Sequence, residues 1–191
     1  QQVSSAASDV YKRQCQQLGG AIDSSAADKA ANFIEICSAH GLPMLSFVDT
    51  PGFMVGPDSE KEGAFRRMGE LFKHGARIKT PLVGIILRRG YGLGAMAMMG
   101  GSFVDPIYSA SWPNGEFGGM GLEGYVKLGF KKELEAEETE EKKKALFDKL
   151  VARMYEVGKA TEAAAHLEMD AVIDPASTRE TILKAFKSFG A

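Results

Sequence analysis

An uninterrupted apolar run that leads into a glycine-rich turn constrains this chain more than any other feature. Residues 81–87, PLVGIIL, are continuous in apolar side chains, which is typical of a strand buried on both faces. Gly90, Gly92 and Gly94 follow at every second position, and a helix is predicted from the last of them to about Gly100. Strands buried on both faces occur mainly in parallel sheets covered by helices, so the sequence predicts an α/β fold.

The segments on either side of this motif complete an alternating pattern of helices and strands. Upstream, the sequence predicts a helix over residues 28–40, a strand over 43–49 and a second helix over 59–78. Downstream, it predicts a short strand around 107–112, a charged helical stretch over 131–160, a strand and turn over 169–175, and an amphipathic helix over 176–189. Such a pattern indicates parallel strands joined by crossover helices, and ligands bind at the carboxyl ends of these strands.

The charge and cysteine content argue against several classes of function. The 23 basic and 25 acidic residues give a net charge of -2, which offers no electrostatic reason to expect nucleic acid or a membrane as partner. No apolar run approaches the roughly 20 residues that a membrane span needs. Cys15 and Cys37 are far apart and form no metal-type pair, so we expect a reduced, cytoplasmic protein without a metal site.

The first residues differ in character from the rest of the chain. They show no hydrophobic period and many small polar side chains, so we expect residues 1–20 to be disordered or foreign to the fold. The alternative is that they are an edge element of a larger parent protein. Residues 21–191 are predicted to form the functional domain, since the chain's hydrophobic content of 45% suits one globular unit.

The glycine-rich turn has three interpretations. Residues 92–97 match the dinucleotide-binding pattern GxGxxA, but the acidic residue expected about 20 positions further on is not clearly present. Glycine can also serve only to let backbones pack closely. The third interpretation is an oxyanion hole, because free amides at the start of a helix point at one place and the helix dipole adds positive charge there.

A second turn of this kind follows the upstream strand. In VDTPGF, residues 48–53, Pro51 fixes one dihedral angle and Gly52 frees the next, so the amides of Gly52 and Phe53 can point at a common site. A Pro-Gly turn alone is most often only a turn, but two such loops after neighbouring parallel strands favour a shared site. The GxSxG, HExxH and P-loop motifs are missing, so the chemistry would rest on backbone electrostatics and on a cofactor.

Four pieces of the chain, in order, resemble one known family. They are LSFVDTPGFMVGPDSEKEGAFRRMGELF, IILRRGYGLGAMAM, YSASWPNGEFGGMGLEG and MDAVIDPASTRETI, and the resemblance covers about residues 28–189. The family is that of the biotin-dependent acyl-CoA carboxyltransferases, the carboxyltransferase subunits of acetyl-CoA and propionyl-CoA carboxylase. The chain resembles their C-terminal domain. This implies an α/β fold of the crotonase superfamily, in which stacked ββα units form a spiral.

The resemblance also implies a cofactor, a substrate and partners. Biotin, carried as carboxybiotin on a biotin carboxyl carrier protein, would be the cofactor, and acetyl-CoA or propionyl-CoA would be the type of substrate. An oxyanion hole would stabilise the ureido oxygen of biotin as the carboxyl group leaves. An N-terminal carboxyltransferase half and a biotin carboxylase would be further partners. Active sites would form between halves in a homo-oligomer, so the isolated chain would bind biotin weakly or be inactive.

The resemblance places the site on particular residues. By position, the amide pair of the hole falls on Leu93 and Gly94, or on Gly94 and Ala95 if the turn is shifted by one residue. Met96 stands where propionyl-type relatives often carry an acidic residue. Trp112 and its neighbours correspond to the active-site wall, although packing is an equally good interpretation. The residues expected to contact biotin or substrate are Gly52, Phe53, Tyr91, Gly92, Met96, Trp112, Pro113, Met120 and Gly121.

Three other functions stay open at this point. Another crotonase-type acyl-CoA enzyme, such as a hydratase, isomerase or decarboxylase, would need a carboxylate near the hole, and Glu116 and Glu123 are the candidates. A non-catalytic assembly half that keeps the fold and the subunit contacts is the second. A nicotinamide-dependent oxidoreductase is the third, and it rests on the weak GxGxxA match alone.

Overall fold

A computed structural model describes residues 17–190 of the chain. Its strands are β1 (Met44–Thr50), β2 (Leu82–Tyr91), β3 (Tyr108–Ser111), β4 (Glu116–Gly118) and β5 (Ala171–Val172). Its α-helices are α1 (Ser24–Ala39), α2 (Pro57–Lys61), α3 (Ala64–Gly75), α4 (Gly92–Met98), α5 (Leu122–Gly129), α6 (Lys131–Glu135), α7 (Glu140–Val157), α8 (Ala160–Ala165) and α9 (Thr178–Ser188). Among these residues, no helix is long and apolar enough to cross a membrane.

The strands form one parallel sheet with β2 at its centre. The order is β1-β2-β3-β5, and β4 pairs in parallel with the end of β2. The first half of β2 pairs with β3, and residues Arg89–Tyr91 pair with β4, which continues the sheet where β3 stops. The parallel α/β sheet that the sequence predicts is therefore confirmed.

Helices cover both faces of this sheet. On one face, Ile86 of β2 packs in a cluster with Ala95 and Met99, at helix α4 and its end. On the other face, Ile85 packs in a cluster with Ala185 of helix α9. Adjacent residues of a strand point to opposite faces of the sheet. Since helices cover both faces, both isoleucines are fully buried. The apolar run in the sequence thus reflects a central strand that is covered twice.

A second helical layer lies outside α4. Ala27 of α1, Leu71 of α3 and Ala97 of α4 belong to one buried cluster. An ion pair of 2.7 Å between Asp28 and Arg67 links α1 to α3 near the surface. Helix α4 is therefore held between the sheet and this outer pair of helices.

Two predicted helices are divided in the structure. The helix expected over residues 59–78 breaks at Gly63, which has φ 73° and separates α2 from α3. That left-handed conformation ends a helix and suits glycine. The charged stretch over 131–160 contains α6, α7 and the start of α8, with a new helix start at Thr139, whose side chain accepts a hydrogen bond from the Lys142 amide.

The strand and helix on either side of the glycine turn are longer than predicted. The strand expected over residues 81–87 extends to Tyr91, because β4 supplies pairing partners beyond the end of β3. The helix expected from Gly94 begins at Gly92. The turn is therefore very tight, with the strand and the helix joined directly.

The prediction for residues 1–20 falls mostly outside the described residues, and so does Cys15. Gln17–Gly20, at the end of that segment, form a 3-10 helix. The Gly20 carbonyl accepts a hydrogen bond of 2.7 Å from the Thr50 hydroxyl. These last residues are thus bonded to the end of β1.

Candidate active site

Two turns meet at the carboxyl ends of β1 and β2. The first turn, residues 50–53, begins at the last residue of β1, and the second, residues 92–94, opens helix α4 directly after β2. A Cβ atom placed on Gly94 would lie 2.7 Å from the carbonyl carbon of Gly52 and 2.9 Å from the nitrogen of Phe53. The backbones of the two turns are therefore in direct contact, which a side chain at position 94 would prevent. The structure brings together the two glycine turns that the sequence singles out.

Thr50 fixes the first turn and occupies one of its amides. The Thr50 Oγ1 accepts a hydrogen bond from the Gly52 N–H at 3.1 Å and lies 2.7 Å from the Gly20 carbonyl, to which it donates. Within residues 17–190, the Phe53 N–H finds no hydrogen-bond acceptor. Of the two amides that the sequence made candidate donors, Gly52 is thus engaged within the turn and Phe53 is available.

Helix α4 begins in the second turn with backbone N–H groups that it does not bond itself. Its N-cap is Tyr91, so the first amide that can bond back along the helix is that of Ala95, to the Tyr91 carbonyl. The amides of Leu93 and Gly94 precede that point and have no acceptor within the helix. Helix geometry therefore favours Leu93 and Gly94 as the donor pair over Gly94 and Ala95. The helix dipole adds positive charge at the same place.

A third loop packs against the start of α4. Gly92 has φ 60°, and a Cβ atom there would lie 2.7 Å from the carbonyl oxygen of Gly119, in the loop after β4. Met120 follows in this loop and is 39% exposed, and Gly121 is the N-cap of α5. Leu93, in the second turn, is a further exposed apolar side chain, at 62% exposure. Met120 and Gly121, predicted from the sequence, therefore directly follow the residue of this loop that contacts the start of α4.

Two tyrosines bind the two glutamates that the sequence offered as acid-base candidates. The phenol of Tyr91, which is 4% exposed, donates to Glu116 Oε2 at 2.6 Å. Burial and this hydrogen bond raise the pKa of Tyr91. The phenol of Tyr155 donates to Glu123 Oε1 at 2.8 Å, and that bond, with some burial, raises the pKa of Tyr155 to about 12. Both carboxylates are thus engaged by neutral phenols, which argues against a hydratase-type role for either.

Trp112 lies apart from the two turns. Its indole Nε1 donates to the Thr178 hydroxyl at 2.9 Å, and its ring packs in the cluster with Ile85 and Ile182. That cluster is on the α9 face of the sheet, whereas α4 is on the opposite face. Pro113 follows on the surface. The structure therefore favours the packing interpretation for Trp112.

Three charged residues beside the turns received no role from the sequence. Asp49 accepts hydrogen bonds of 2.9 Å from the guanidinium groups of both Arg88 and Arg89. Burial alone would raise the pKa of Asp49, but the hydrogen bonds from the two arginines outweigh burial and hold the pKa below its usual value. The only sequence signal was a charge at the end of one apolar strand and two charges after the next apolar run.

Comparisons with known proteins agree with one another. The chain matches the family model of the carboxyl transferase domain over residues 9–189. It is 34% identical over 170 residues to the beta6 subunit of a biotin-dependent acetyl-/propionyl-coenzyme A carboxylase from Mycobacterium tuberculosis, over 88% of this chain and 36% of that protein. The structure of a single-chain, multi-domain long-chain acyl-CoA carboxylase matches with a TM-score of 0.78 and 53% identity, over 89% of this chain and 16% of that one.

A further solved structure shows the same fold. The transcarboxylase 12S hexamer, with methylmalonyl-CoA bound, matches with a TM-score of 0.81 and 30% identity, over 90% of this chain and 32% of that one. The crotonase-type fold that the resemblance implied is thereby confirmed. The chain spans about a third of the length of the 12S protein and of the Mycobacterium subunit. By sequence and by fold, this chain belongs to the carboxyl transferase domain family.

Proposed function

We propose that this chain is the biotin-side, C-terminal half of a carboxyltransferase, which transfers a carboxyl group from carboxybiotin to an acyl-CoA. Membership of the carboxyl transferase domain family and the biotin-dependent relative support this function. The observation that carries it is the direct contact between two amide-bearing turns, with the Phe53 nitrogen beside Gly94. A reaction that develops negative charge on one oxygen needs such donors and needs no side-chain acid at that atom.

The amides of Phe53, Leu93 and Gly94 form the proposed oxyanion hole. All three are N–H donors, so the site suits a carbonyl oxygen and does not suit a cation. Biotin would supply a ureido carbonyl, whose oxygen gains negative charge as the carboxyl group leaves the neighbouring nitrogen. Each amide aimed at that oxygen would stabilise the transition state by about 3–4 kcal/mol. The amides hold the charge without giving up their protons.

The surrounding side chains suit apolar parts of a ligand. Leu93 and Met120 are exposed and apolar, and Met96 is half-buried on α4. We assign to these three the contacts with the biotin ring or with the acyl group of an acetyl-CoA or propionyl-CoA type substrate. Tyr91 is buried and already bonded to Glu116, so we assign it to supporting the turn that carries the donors and not to contact with the ligand. Gly52, Gly92 and Gly121 shape the backbone around the site.

The proposed partners follow from the same function. An N-terminal carboxyltransferase half would hold the acyl-CoA, and a biotin carboxyl carrier protein with its biotin carboxylase would deliver carboxybiotin. We propose a homo-oligomer in which the site lies between halves, as a relative of known structure forms a hexamer. Residues 21–191 would be the domain involved, and the location would be cytoplasmic.

The reverse half-reaction tests this function. The chain is assembled with the N-terminal half of the Mycobacterium beta6 subunit, and malonyl-CoA or methylmalonyl-CoA is mixed with biocytin. We expect loss of the ester's carboxyl group only when biocytin is present, since biocytin must accept that group. The Gly94→Val variant should abolish this loss, because its side chain would fall on the backbone of Gly52.

The Gly69→Val variant is the matched control for this assay. A Cβ atom at Gly69, on helix α3, would meet nothing within 4 Å, so the same substitution there should leave the activity intact. The beta6 subunit reassembled from its own two halves shows that the assembly method works. Carboxyl loss that ignores biocytin, or no loss from either ester while the reassembled beta6 subunit reacts, would contradict the proposal.

A further inference from the structure

We propose that Asp49 is a positioning residue that holds the two amide-bearing turns in register, a role that rests on the function proposed above. Asp49 is the last residue of β1 but one, and it precedes the first turn directly. Its carboxylate lies between β1 and β2, the two strands that lead into the turns.

The pairing of the two strands is irregular at this point. Val48 pairs with Ile86, but Thr50 pairs with Gly90, so β1 advances by two residues where β2 advances by four. The regular ladder is therefore interrupted around Asp49. A shift of this kind bends a strand and turns the next residues in a new direction.

The Asp49 carboxylate bridges the interruption. Its Oδ1 accepts a hydrogen bond from the backbone N–H of Arg89 at 3.3 Å and from Nε of the same residue at 2.9 Å. Its Oδ2 accepts one from the Nη2 of Arg88 at 2.9 Å, and the Nε of Arg88 donates to Oδ1 at 3.3 Å. The side chain of Asp49 is only 11% exposed. Charge-assisted hydrogen bonds of this geometry are among the stronger ones in proteins, so the carboxylate holds β2 at a defined place beside β1.

Both sets of proposed donors lie close to this bridge in the chain. Phe53 is four residues after Asp49, and Gly94 is five residues after Arg89. Regular pairing from Met44 to Val48 sets the register of β1 and β2 up to the interruption. The charged bridge then places the strand ends beyond it, which lead to the backbone contact at Gly94.

An Asp49→Asn variant tests the role, with Asp28→Asn as its matched control. Asp28 forms the 2.7 Å ion pair with Arg67 between α1 and α3, and among residues 17–190 its side chain makes no hydrogen bond to either turn. Asn at 49 keeps one acceptor oxygen but loses the charge and the Oδ2 acceptor, to which Arg88 makes its shorter hydrogen bond. In the biocytin assay on the assembled protein, we expect Asp49→Asn to lower kcat by about tenfold to a hundredfold, as for a misplaced reacting group.

The separation of kcat from KM distinguishes positioning from general damage. For Asp49→Asn, KM for the CoA ester should stay within about twofold of the wild-type value, because the N-terminal half is proposed to hold most of the ester. Asp28→Asn should keep both constants within about twofold of their wild-type values. If the two variants have the same kcat, or if kcat follows the melting temperature in both, the proposal is wrong.

A second readout does not depend on activity. In amide spectra of the ¹⁵N-labelled chain, the Phe53 and Gly94 signals should move in Asp49→Asn and stay in place in Asp28→Asn. If Asp49→Asn does not fold, Arg88→Gln, which removes the bond on Oδ2 from the more exposed side, should move the same two signals. Unchanged signals in the folded variant overturn the role of Asp49. If the wild-type assembly lacks activity, the proposed function fails, and these spectra still decide the positioning role.

Discussion

Adding a single methyl group at Gly94 is a sharp test of the contact between the two turns. A Cβ atom there would lie 2.7 Å from the carbonyl carbon of Gly52, 2.8 Å from its Cα and 2.9 Å from the nitrogen of Phe53. All three are backbone atoms, so no flexible side chain can move away to make room. Gly94→Ala must therefore push the turns themselves apart.

The size of this displacement sets the expected effects. Ordinary van der Waals contact begins at 3.4 Å, so the contact of 2.7 Å has to lengthen by about 0.7 Å. Overpacking of this kind costs about 1–3 kcal/mol of unfolding free energy. Moving a reacting group by about 1 Å costs about 10²-fold in rate, and losing one oxyanion donor costs about 10²–10³-fold. We expect kcat of Gly94→Ala to fall by about 10²-fold in the biocytin assay.

The control is the same substitution on an exposed helix. Gly69 lies within α3, and a Cβ atom there would meet nothing within 4 Å. Gly69→Ala should raise the unfolding free energy by about 0.5–1 kcal/mol, because alanine favours the helix, and should leave kcat unchanged. Urea unfolding gives the free energies, and initial rates with saturating biocytin give kcat.

Two results would contradict a tight contact at Gly94 that positions the donors. If Gly94→Ala keeps wild-type kcat while folded, the contact between the turns does not set the position of the donors. If Gly94→Ala is as stable as Gly69→Ala, the backbones of the two turns are not in direct contact at Gly94. If kcat of Gly94→Ala falls but returns fully to the wild-type value at a lower assay temperature, unfolding of the variant is the cause. That result would also count against the proposed site.

Two further predictions concern the side chains that support the turns. Thr50→Val should lower the unfolding free energy by about 1–3 kcal/mol, because the Gly52 N–H and the Gly20 carbonyl lose their hydrogen-bond partner. Thr50→Ser keeps the hydroxyl and should recover most of that free energy. Urea unfolding measures both variants. Tyr91 has a raised pKa, so its contribution to stability is full below the ordinary tyrosine pKa of about 10 and is lost as the pH rises through the raised value. An alkaline titration of tyrosinate absorbance compares the variants Tyr91→Phe and Tyr155→Phe. Tyr155 has a pKa of about 12, and the group lost in Tyr91→Phe should ionise at higher pH than the group lost in Tyr155→Phe. The reverse order would contradict the buried bond from Tyr91 to Glu116.

Local sequence patterns predicted the parts of the fold that depend on neighbouring residues. The apolar run 81–87 indicated a doubly covered strand, since burial on both faces removes every polar position. The two glycine turns were also visible, because glycine marks backbone that needs unusual angles or close approach. Element ends were less accurate: β2 extends to Tyr91 only because β4 pairs with it.

Contacts between distant parts of the chain were beyond the sequence patterns. The bridge from Asp49 to Arg88 spans 39 positions, and the bond from Tyr91 to Glu116 spans 25. Neither has a period or a turn signal, because both arise from the pairing of strands. The sequence could also not show that Gly52 uses its amide within the turn while that of Phe53 finds no acceptor among residues 17–190.

The most direct measurement is a biocytin titration of the ¹⁵N-labelled 191-residue chain, assembled with the unlabelled N-terminal half and followed through the backbone amide signals of the chain. If the amides of Phe53, Leu93 and Gly94 converge on one carbonyl oxygen, these three signals will move together and saturate with one dissociation constant, while the Gly69 signal stays in place. Saturable shifts elsewhere with these three unmoved, or no shifts at millimolar biocytin, would contradict that convergence.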